Sequence, residues 1–316
     1  MDNNNHVLRN YSAFEMSRIF GEPRDPRQGK SFSNLVTAIC ETDTVGPRDY
    51  YYYFDALLET DKVYVITATG EVTQENVSPD TPAVLSFTDL ASPEYYVKIT
   101  DLASTKESTI ARKIKTINRA MNFYENYKIV ALLSAAVTGL GINSDSFDSS
   151  EDHFDYSHLI DMLHSVKDYG NSFVLLVGST IDKQIDLWDW TDNKYHSLKD
   201  ALADLNVEII RVKESVTIDG SATDVLAATD VYLVARNTEM GKPVMFVRKQ
   251  LDEIELLGGI IKEQDGERPQ RIIFASPNPV SVLSTSKRYL AVGITGYEQF
   301  AAAVTNPYAI AYFSAT

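Results

Sequence analysis

Residues 105–137 read as one very long amphipathic helix, and no other stretch of this chain constrains its fold as much. Ser104 and Glu107 make an S-x-x-E capping box at its start, which satisfies two backbone donors reciprocally. Ile110, Ile114, Ile117, Met121, Tyr124 and Ala131 then follow at spacings of three, four and seven, an apolar stripe of helical period. Gly139 and Gly141 stand where such a helix stops. At ~1.5 Å per residue the segment reaches about 50 Å, well beyond the usual three or four turns. A helix of that length spans a domain or enters a coiled coil. After Tyr124 the stripe widens into residues 130–136 (Val-Ala-Leu-Leu-Ser-Ala-Ala), apolar nearly all round, so burial of the second half is the expectation and a coiled coil the lesser alternative.

A second face of the same helix carries Arg112, Lys115, Arg119, Asn122 and Asn126. Between residues 105 and 141, six basic residues (Lys106, Arg112, Lys113, Lys115, Arg119, Lys128) stand against two acidic ones (Glu107, Glu125). That segment is +4, which leaves −19 on the remainder of a chain whose total is −15. The total argues against general nucleic-acid binding, since phosphate backbones require clustered lysine and arginine. Segregation of charge onto one element is the more specific information.

The chain's 316 residues, 44% apolar and 23% charged, have the composition of an ordinary soluble globular protein. It has no apolar run long enough to span a bilayer and no signal-peptide core at its start, so a soluble protein, intracellular when made, is expected. A single cysteine, Cys40, excludes intrachain disulfides and a cysteine metal cage; a small buried apolar role suits it.

Residues 1–49 form a polar, proline-marked arm with one apolar patch at 35–39 that suits a short helix. Such a segment frays unless something ties it down, and a neighbouring subunit is the expected tie. Tyr50, Tyr51, Tyr52, Tyr53 and Phe54 read as a half-buried strand, because aromatics mostly serve packing and only Arg48 is near for nucleic-acid stacking. Strands at 62–69, 83–87 and 95–99 bracket a polar stretch (71–82) broken by Pro79 and Pro82, which reads as a long hairpin with a mobile tip. Beyond an Asp/Ser-rich linker (143–152) come a helix at 156–169, a fully apolar strand at 173–177, helices at 181–190 and 197–205, and a strand at 207–212. Strands at 231–235, 244–247, 271–274, 288–292 and 308–313 complete an α+β chain without internal repeats.

The search for chemistry returns almost nothing. G-x-S-x-G, Walker A, H-E-x-x-H and the dinucleotide fingerprint are all absent. Gly178, Ser179 and Thr180 sit between a strand and a helix and could cradle an anion on backbone donors; a plain capped turn is the simpler reading. Asp155, His158, Asp161 and His164 recur every three residues, but that spacing rotates ~60° per step around a helix, which suits a titratable surface better than a metal site. Asn76 begins an N-x-S sequon that matters only on secretion, and the acidic stretches around Glu253 and Glu263 suit a solvated face. No catalytic group, cofactor or metal is expected.

The order of parts carries a resemblance. Asp101 to Ser104 lead from the strand-rich excursion into the long helix, residues 173–178 with the helix ending near Trp188 and Trp190 form an α/β centre, and 289–297 with 309–313 supply closing strands. This layout resembles the major capsid protein of tailed double-stranded DNA phages, the Hong Kong 97-type fold shared with encapsulins. The resemblance covers nearly the whole chain and rests on layout, not on a motif. It implies an N-terminal arm (1–49), an extended loop (50–103), a peripheral domain (104–170 and 286–316, with the spine helix at 105–137) and an axial domain (171–285). It implies self-assembly into hexamers and pentamers of an icosahedral shell enclosing DNA without sequence-specific binding. Candidate partners are a separate scaffold, portal or decoration protein, with no membrane; the locations implied are the virion and, during assembly, the host cytoplasm. Candidate intersubunit contacts are Arg112, Lys115 and Arg119 on the helix and Gln74, Glu75 and Asn76 on the loop. The chain starts without a charged helical segment, so a fused scaffold is expected to be absent. Lys62 and Lys98 are the loop's only lysines, both at its base, so no lysine–asparagine cross-link is expected. An encapsulin-type compartment, a phage tail or baseplate protein, and an α/β enzyme holding a phosphorylated ligand at the Gly178 turn are the alternatives.

Overall fold

The computed structural model describes residues 34–46, 48–49, 51–54, 83–93, 95–98, 109–140, 153–188, 198–218, 221–236, 241–250, 271–275, 280–283 and 288–315. Most of the arm, the 62–69 strand, the loop tip with Gln74, Glu75 and Asn76, the Ser104/Glu107 box, the 143–152 linker and the acidic stretches after residue 250 lie outside the described residues. Helix α1 (Leu35–Ile39) runs straight into strand β1 (Cys40–Val45). Strand β2 (Tyr51–Phe54) pairs with β3 (Ala83–Ser86), and β4 (Thr88–Ala91) and β5 (Tyr95–Lys98) follow. The long helix is α2 (Thr109–Leu140), ending beside the expected glycines. Then come α3 (Tyr156–Val166) with a closing 3-10 turn, β6 (Ser172–Val177), α4 (Ser179–Asp186), α5 (Leu198–Asp204) and β7 (Val207–Arg211). The hairpin β8 (Ser215–Ile218) and β9 (Ser221–Asp224) leads to β10 (Asp230–Arg236) and β11 (Val244–Lys249). Strands β12 (Arg271–Ala275), β13 (Val280–Leu283), β14 (Arg288–Val304) and β15 (Ile310–Ser314) close the described chain.

Two sheets organise these elements. The first has the order β15-β10-β6-β7, antiparallel except for the parallel β6/β7 pair. The second is built on β14, whose 17 residues pair antiparallel with β11, β12, β13, β4 and β5, while β1 joins in parallel beyond β11. Both sheets take strands from either side of residue 285, where the resemblance put a domain boundary: β10 pairs with β15, and β11 with β14.

The apolar run in β6 is explained by burial on both faces, as a continuous run of that kind requires. Phe173, Leu175 and Val177 pack with Leu159, Met162 and Val166 of α3 and Ile181 and Ile185 of α4. Val174 and Leu176 point the other way, into a cluster with Leu35, Val36 and Ile39 of α1, Ile129, Leu133 and Val137 of α2, Phe246 and Phe300. The first sheet is thus the middle layer between two helical layers.

Helix α2 does not bury the straight stripe that its sequence suggests. Its buried residues include Ile117, Met121, Glu125, Ile129, Leu133 and Val137, every fourth position. Four residues advance the helix by ~400°, so the buried line winds about 200° from Ile117 to Val137. The helix packs on β14, α1, β8 and β15 as that line turns. Ala131, expected inside, is therefore exposed, as are Ser134 and Ala135, so the second half is buried on one side and not all round.

Candidate assembly surfaces

The turn after β6 was the one place where sequence suggested small-molecule chemistry, and the chain itself fills it. The Thr180 and Ile181 N–H groups, which would have to receive an anion, donate to the Ala228 carbonyl at 2.9 and 3.4 Å. Gly178 packs so closely on that segment that an added Cβ would lie 2.2 Å from the Ala227 carbonyl oxygen. Asp182 in the first turn of α4 adds a negative charge. The chain itself thus takes up the cradle that the phosphorylated-ligand alternative requires: the Thr180 and Ile181 donors are spent and the space beside Gly178 is filled.

Asp182 is 6% exposed and binds the side chains of Arg211 and Lys213, the latter at 2.6 Å. Burial alone would raise its pKa; the hydrogen bonds and charges of Lys213 and Arg211 outweigh that and hold it below the usual carboxylate value. A depressed folded pKa contributes stability that is complete above the unfolded value of ~3.9 and disappears as pH falls through the folded value. Asp182→Asn should therefore lower stability at pH 7 and flatten the loss of stability below about pH 4. Urea midpoints measured from pH 6 to 3 check this; an unchanged slope would remove Asp182 as an acid-sensitive group.

The histidine spacing also has a structural explanation. Asp155 caps α3, accepting from the His158 N–H at 3.0 Å, while the His158 ring accepts from the Asp155 N–H at 3.2 Å. Burial would raise the Asp155 pKa, but these bonds and the Ser157 hydroxyl hold it down. His158 is buried against Phe154 and Phe313, contrary to the expected solvent-facing row, whereas Asp161 and His164 are exposed. Among the described residues no cluster of acids, histidines and cysteine could hold a metal. Cys40 is 2% exposed, and burial pushes its thiol up to about 12, so it is inert.

What remains are surfaces and the joints beneath them. Asn126, expected on the basic face, is 1% exposed and accepts the Leu35 N–H at 3.3 Å, which seats α1 on α2. The reason is the same winding of the buried line. Beside it Glu125, 3% exposed at its side chain, receives Arg248 at 2.7 Å and so ties α2 to β11. Lys115 is exposed and Arg119 is half-buried, its guanidinium 5.1 Å from the Phe123 ring centre. Arg112 lies on the same helix, but its side chain falls outside the described set.

The base of the long loop is bolted to β14. Ser92 and Gly296 exchange bonds, the Ser92 N–H donating to the Gly296 carbonyl at 2.9 Å and the Gly296 N–H to the Ser92 hydroxyl at 2.8 Å. The Tyr297 hydroxyl donates to Asp89 at 2.8 Å; burial first, and this bond second, push the phenol up to about 12.

Strands β1 and β7 each lie at the edge of a sheet among the described residues. Strand β1 pairs only with β11, and four consecutive residues, Glu41 to Thr44, are exposed, so side chains on both of its faces meet solvent. The Tyr52 hydroxyl donates to Asp43 at 2.7 Å. Strand β7 pairs only with β6, and a groove of about 500 Å³ runs beside it, walled by Asn34, Thr37 and Ala38. Arg236 braces that groove: its guanidinium donates to the Ala38 carbonyl at 3.3 Å, the Ser172 hydroxyl at 2.9 Å and Glu208 at 3.3 Å. Its buried Nε–H has no acceptor among the described residues, a cost of about 1–3 kcal/mol.

No family model matches the chain, and no curated protein matches its sequence. Solved structures do match. The capsid of cyanophage P-SCSP1u aligns at a TM-score of 0.54 and 9% identity, covering 95% of this chain and 94% of that one. The capsid of an empty GTA particle aligns at 0.52 and 10%, covering 97% and 99%. The mature capsid of bacteriophage PhiM1 aligns at 0.51 and 9%, covering 93% and 90%. The fold is the Hong Kong 97-type capsid fold, an α+β architecture, over nearly the full chain.

Proposed function

We propose that this chain is a major capsid protein, a subunit that assembles with copies of itself into the icosahedral shell of a tailed phage around double-stranded DNA. The observation that carries this reading is the whole-length match to the cyanophage capsid, nine-tenths of both chains with no large domain left over. The interior supports it: the one ligand-like turn is filled by Ala228, and the built features are joints and edge strands. Each contact in such a shell is weak, and many simultaneous contacts supply its stability. A wall of net charge −15 resists sticking to the DNA it encloses. The subunit's place is the virion, after assembly in the host cytoplasm; a scaffold, portal or decoration protein would be its further partners.

The same proposal assigns residues 1–49 to an arm, 50–103 to a loop laid over a neighbour with Gln74, Glu75 and Asn76 in contact there, 104–170 and 286–316 to a peripheral domain, and 171–285 to an axial domain. Arg112, Lys115 and Arg119 dock on an acidic neighbour. Expressed alone, the chain should form closed shells or capsomer rings in negative-stain micrographs, with a matching mass by light scattering. A homogeneous monomer across concentrations overturns the proposal, and a protein cargo in place of DNA in native particles makes the shell an encapsulin-type compartment. The double charge reversal Arg112→Glu with Arg119→Glu should abolish particles while leaving the circular dichroism spectrum unchanged; normal particles would remove the helix face from assembly.

A further inference from the structure

We propose that Lys249 is a positioning residue: with the Phe87 ring beneath its ammonium and the Asp43–Tyr52 bond as a second fastener, it fixes the angle of the β2–β3 ribbon across the back of the second sheet. The inference concerns a single copy and stands apart from the shell reading. It begins from the two faces of that sheet. Strand register puts Phe246, Arg248, Phe300 and Leu90 on the face toward α2 and its cluster. Side chains alternate along each strand, so Asp43, Val45, Val247, Lys249, Ala301 and Asp89 lie on the opposite, back face. The centre of that back face is closed. Val247 is fully buried, Ala301 and Lys249 are 3% and 7% exposed, and neither Val247 nor Ala301 belongs to the two clusters of the main core.

Among the described residues, the base of the ribbon does the closing. Strand β3 ends at Ser86, Phe87 intervenes, and β4 enters the sheet beside β14. The Lys249 ammonium stands over the Phe87 ring, 5.7 Å from its centre. Strand β2, paired with β3, reaches back to β1 through the Tyr52 hydroxyl, which donates to Asp43 at 2.7 Å. Strands β1, β11, β14, β4, β3 and β2 therefore make a closed circuit whose last link is a side-chain hydrogen bond. That hydrogen bond first, and burial second, push the Tyr52 phenol up to about 12, so it remains a donor through the neutral range. A two-stranded ribbon has little stability of its own, so the fasteners at its base set its direction. Apolar contact is non-directional, whereas an ammonium is drawn to the face of an aromatic ring and so holds the ring beneath it. On the shell reading, a ribbon aimed in advance loses less freedom when it meets a neighbour.

Distances between spin labels test the assignment. Ser86→Cys and Asp161→Cys put labels on exposed positions of the ribbon and of α3, while Cys40 is buried with its thiol up at about 12 and takes none. Labelled chain diluted into an excess of unlabelled chain reports distances within one copy, assembled or not. The parent should give one narrow distance distribution. Lys249→Met keeps the stem and removes the charge; it should at least double the width without lowering the thermal midpoint. Lys249→Arg keeps a cation over the ring and should return the narrow distribution. A broad distribution in the parent, an unchanged one in Lys249→Met, or equal widening by Lys249→Arg would overturn the positioning role. Tyr52→Phe decides the matter where Lys249→Met does not fold: it should widen the distribution, and an unchanged width would overturn the proposal. None of these outcomes bears on whether the chain forms a shell.

Discussion

Arg248→Ala will destabilise the protein by about 3–5 kcal/mol, more than Glu125→Ala, although both break the same pair. The asymmetry follows from exposure. Glu125 is 3% exposed at its side chain and Arg248 is 26% exposed. Removing the arginine strands a buried carboxylate without its guanidinium, whereas removing the glutamate leaves a cation that can turn to water, at about 1–3 kcal/mol. Replacing both by leucine and methionine of similar bulk should restore most of the loss, since an apolar pair avoids the desolvation altogether. Urea midpoints on monomeric protein decide the matter. Equal costs for the two single variants would mean that Glu125 has ready access to water or to another donor.

Gly178→Val should leave little folded protein. An added Cβ meets the Ala227 carbonyl oxygen at 2.2 Å and the Ala228 carbonyl oxygen at 2.6 Å; both are backbone atoms, the first already accepting the Asp230 N–H and the second the first N–H groups of α4. Overpacking of a rigid site costs typically 1–3 kcal/mol and more where nothing can yield. Here yielding would separate β6 from the segment leading to β10, in the middle layer of the fold. Gly46→Ala is the matched control: its Cβ meets the Asp49 carboxylate at 3.1 Å, the far end of an exposed side chain that accepts the Gly46 N–H at 2.9 Å and can shift by a few tenths of an ångström. The expected readout is soluble yield and thermal midpoint, with Gly178→Val low in both and Gly46→Ala near the parent. Normal yield from Gly178→Val would mean that this turn is far looser than its packing indicates.

The long helix and the central strand were legible because their signals are local. A 32-residue helix and an apolar run buried on both faces each declare themselves within a short window. What could not be read depends on partners far along the chain. Nothing near Glu125 announces Arg248, and nothing near Gly178 announces the Ala228 carbonyl. His158 resembled a surface residue until Phe313 covered it. Strands β1 (Cys-Glu-Thr-Asp-Thr-Val) and β9 were missed because their polar, exposed residues lack the alternation that half-burial imposes, whereas β8 (Ser-Val-Thr-Ile) alternates but over only four residues. The basic face was legible as charge, but Asn126 was misplaced on it because the buried line winds around the helix.

The pairings that β14 and β15 make with earlier strands govern when this chain can finish folding. Residues 288–304 are the strand on which the seven-stranded sheet is assembled, and residues 310–314 close the other sheet against β10. A nascent chain emerging from the ribosome therefore holds β1, β4, β5 and β11 with no central strand to receive them, and both sheets stay unfinished until these late residues appear. Long-range closure of that kind is slow and leaves strand edges uncovered meanwhile. On the proposed shell reading, the same delay keeps partly made chains from presenting a finished surface to one another, so association waits for residues 288–314.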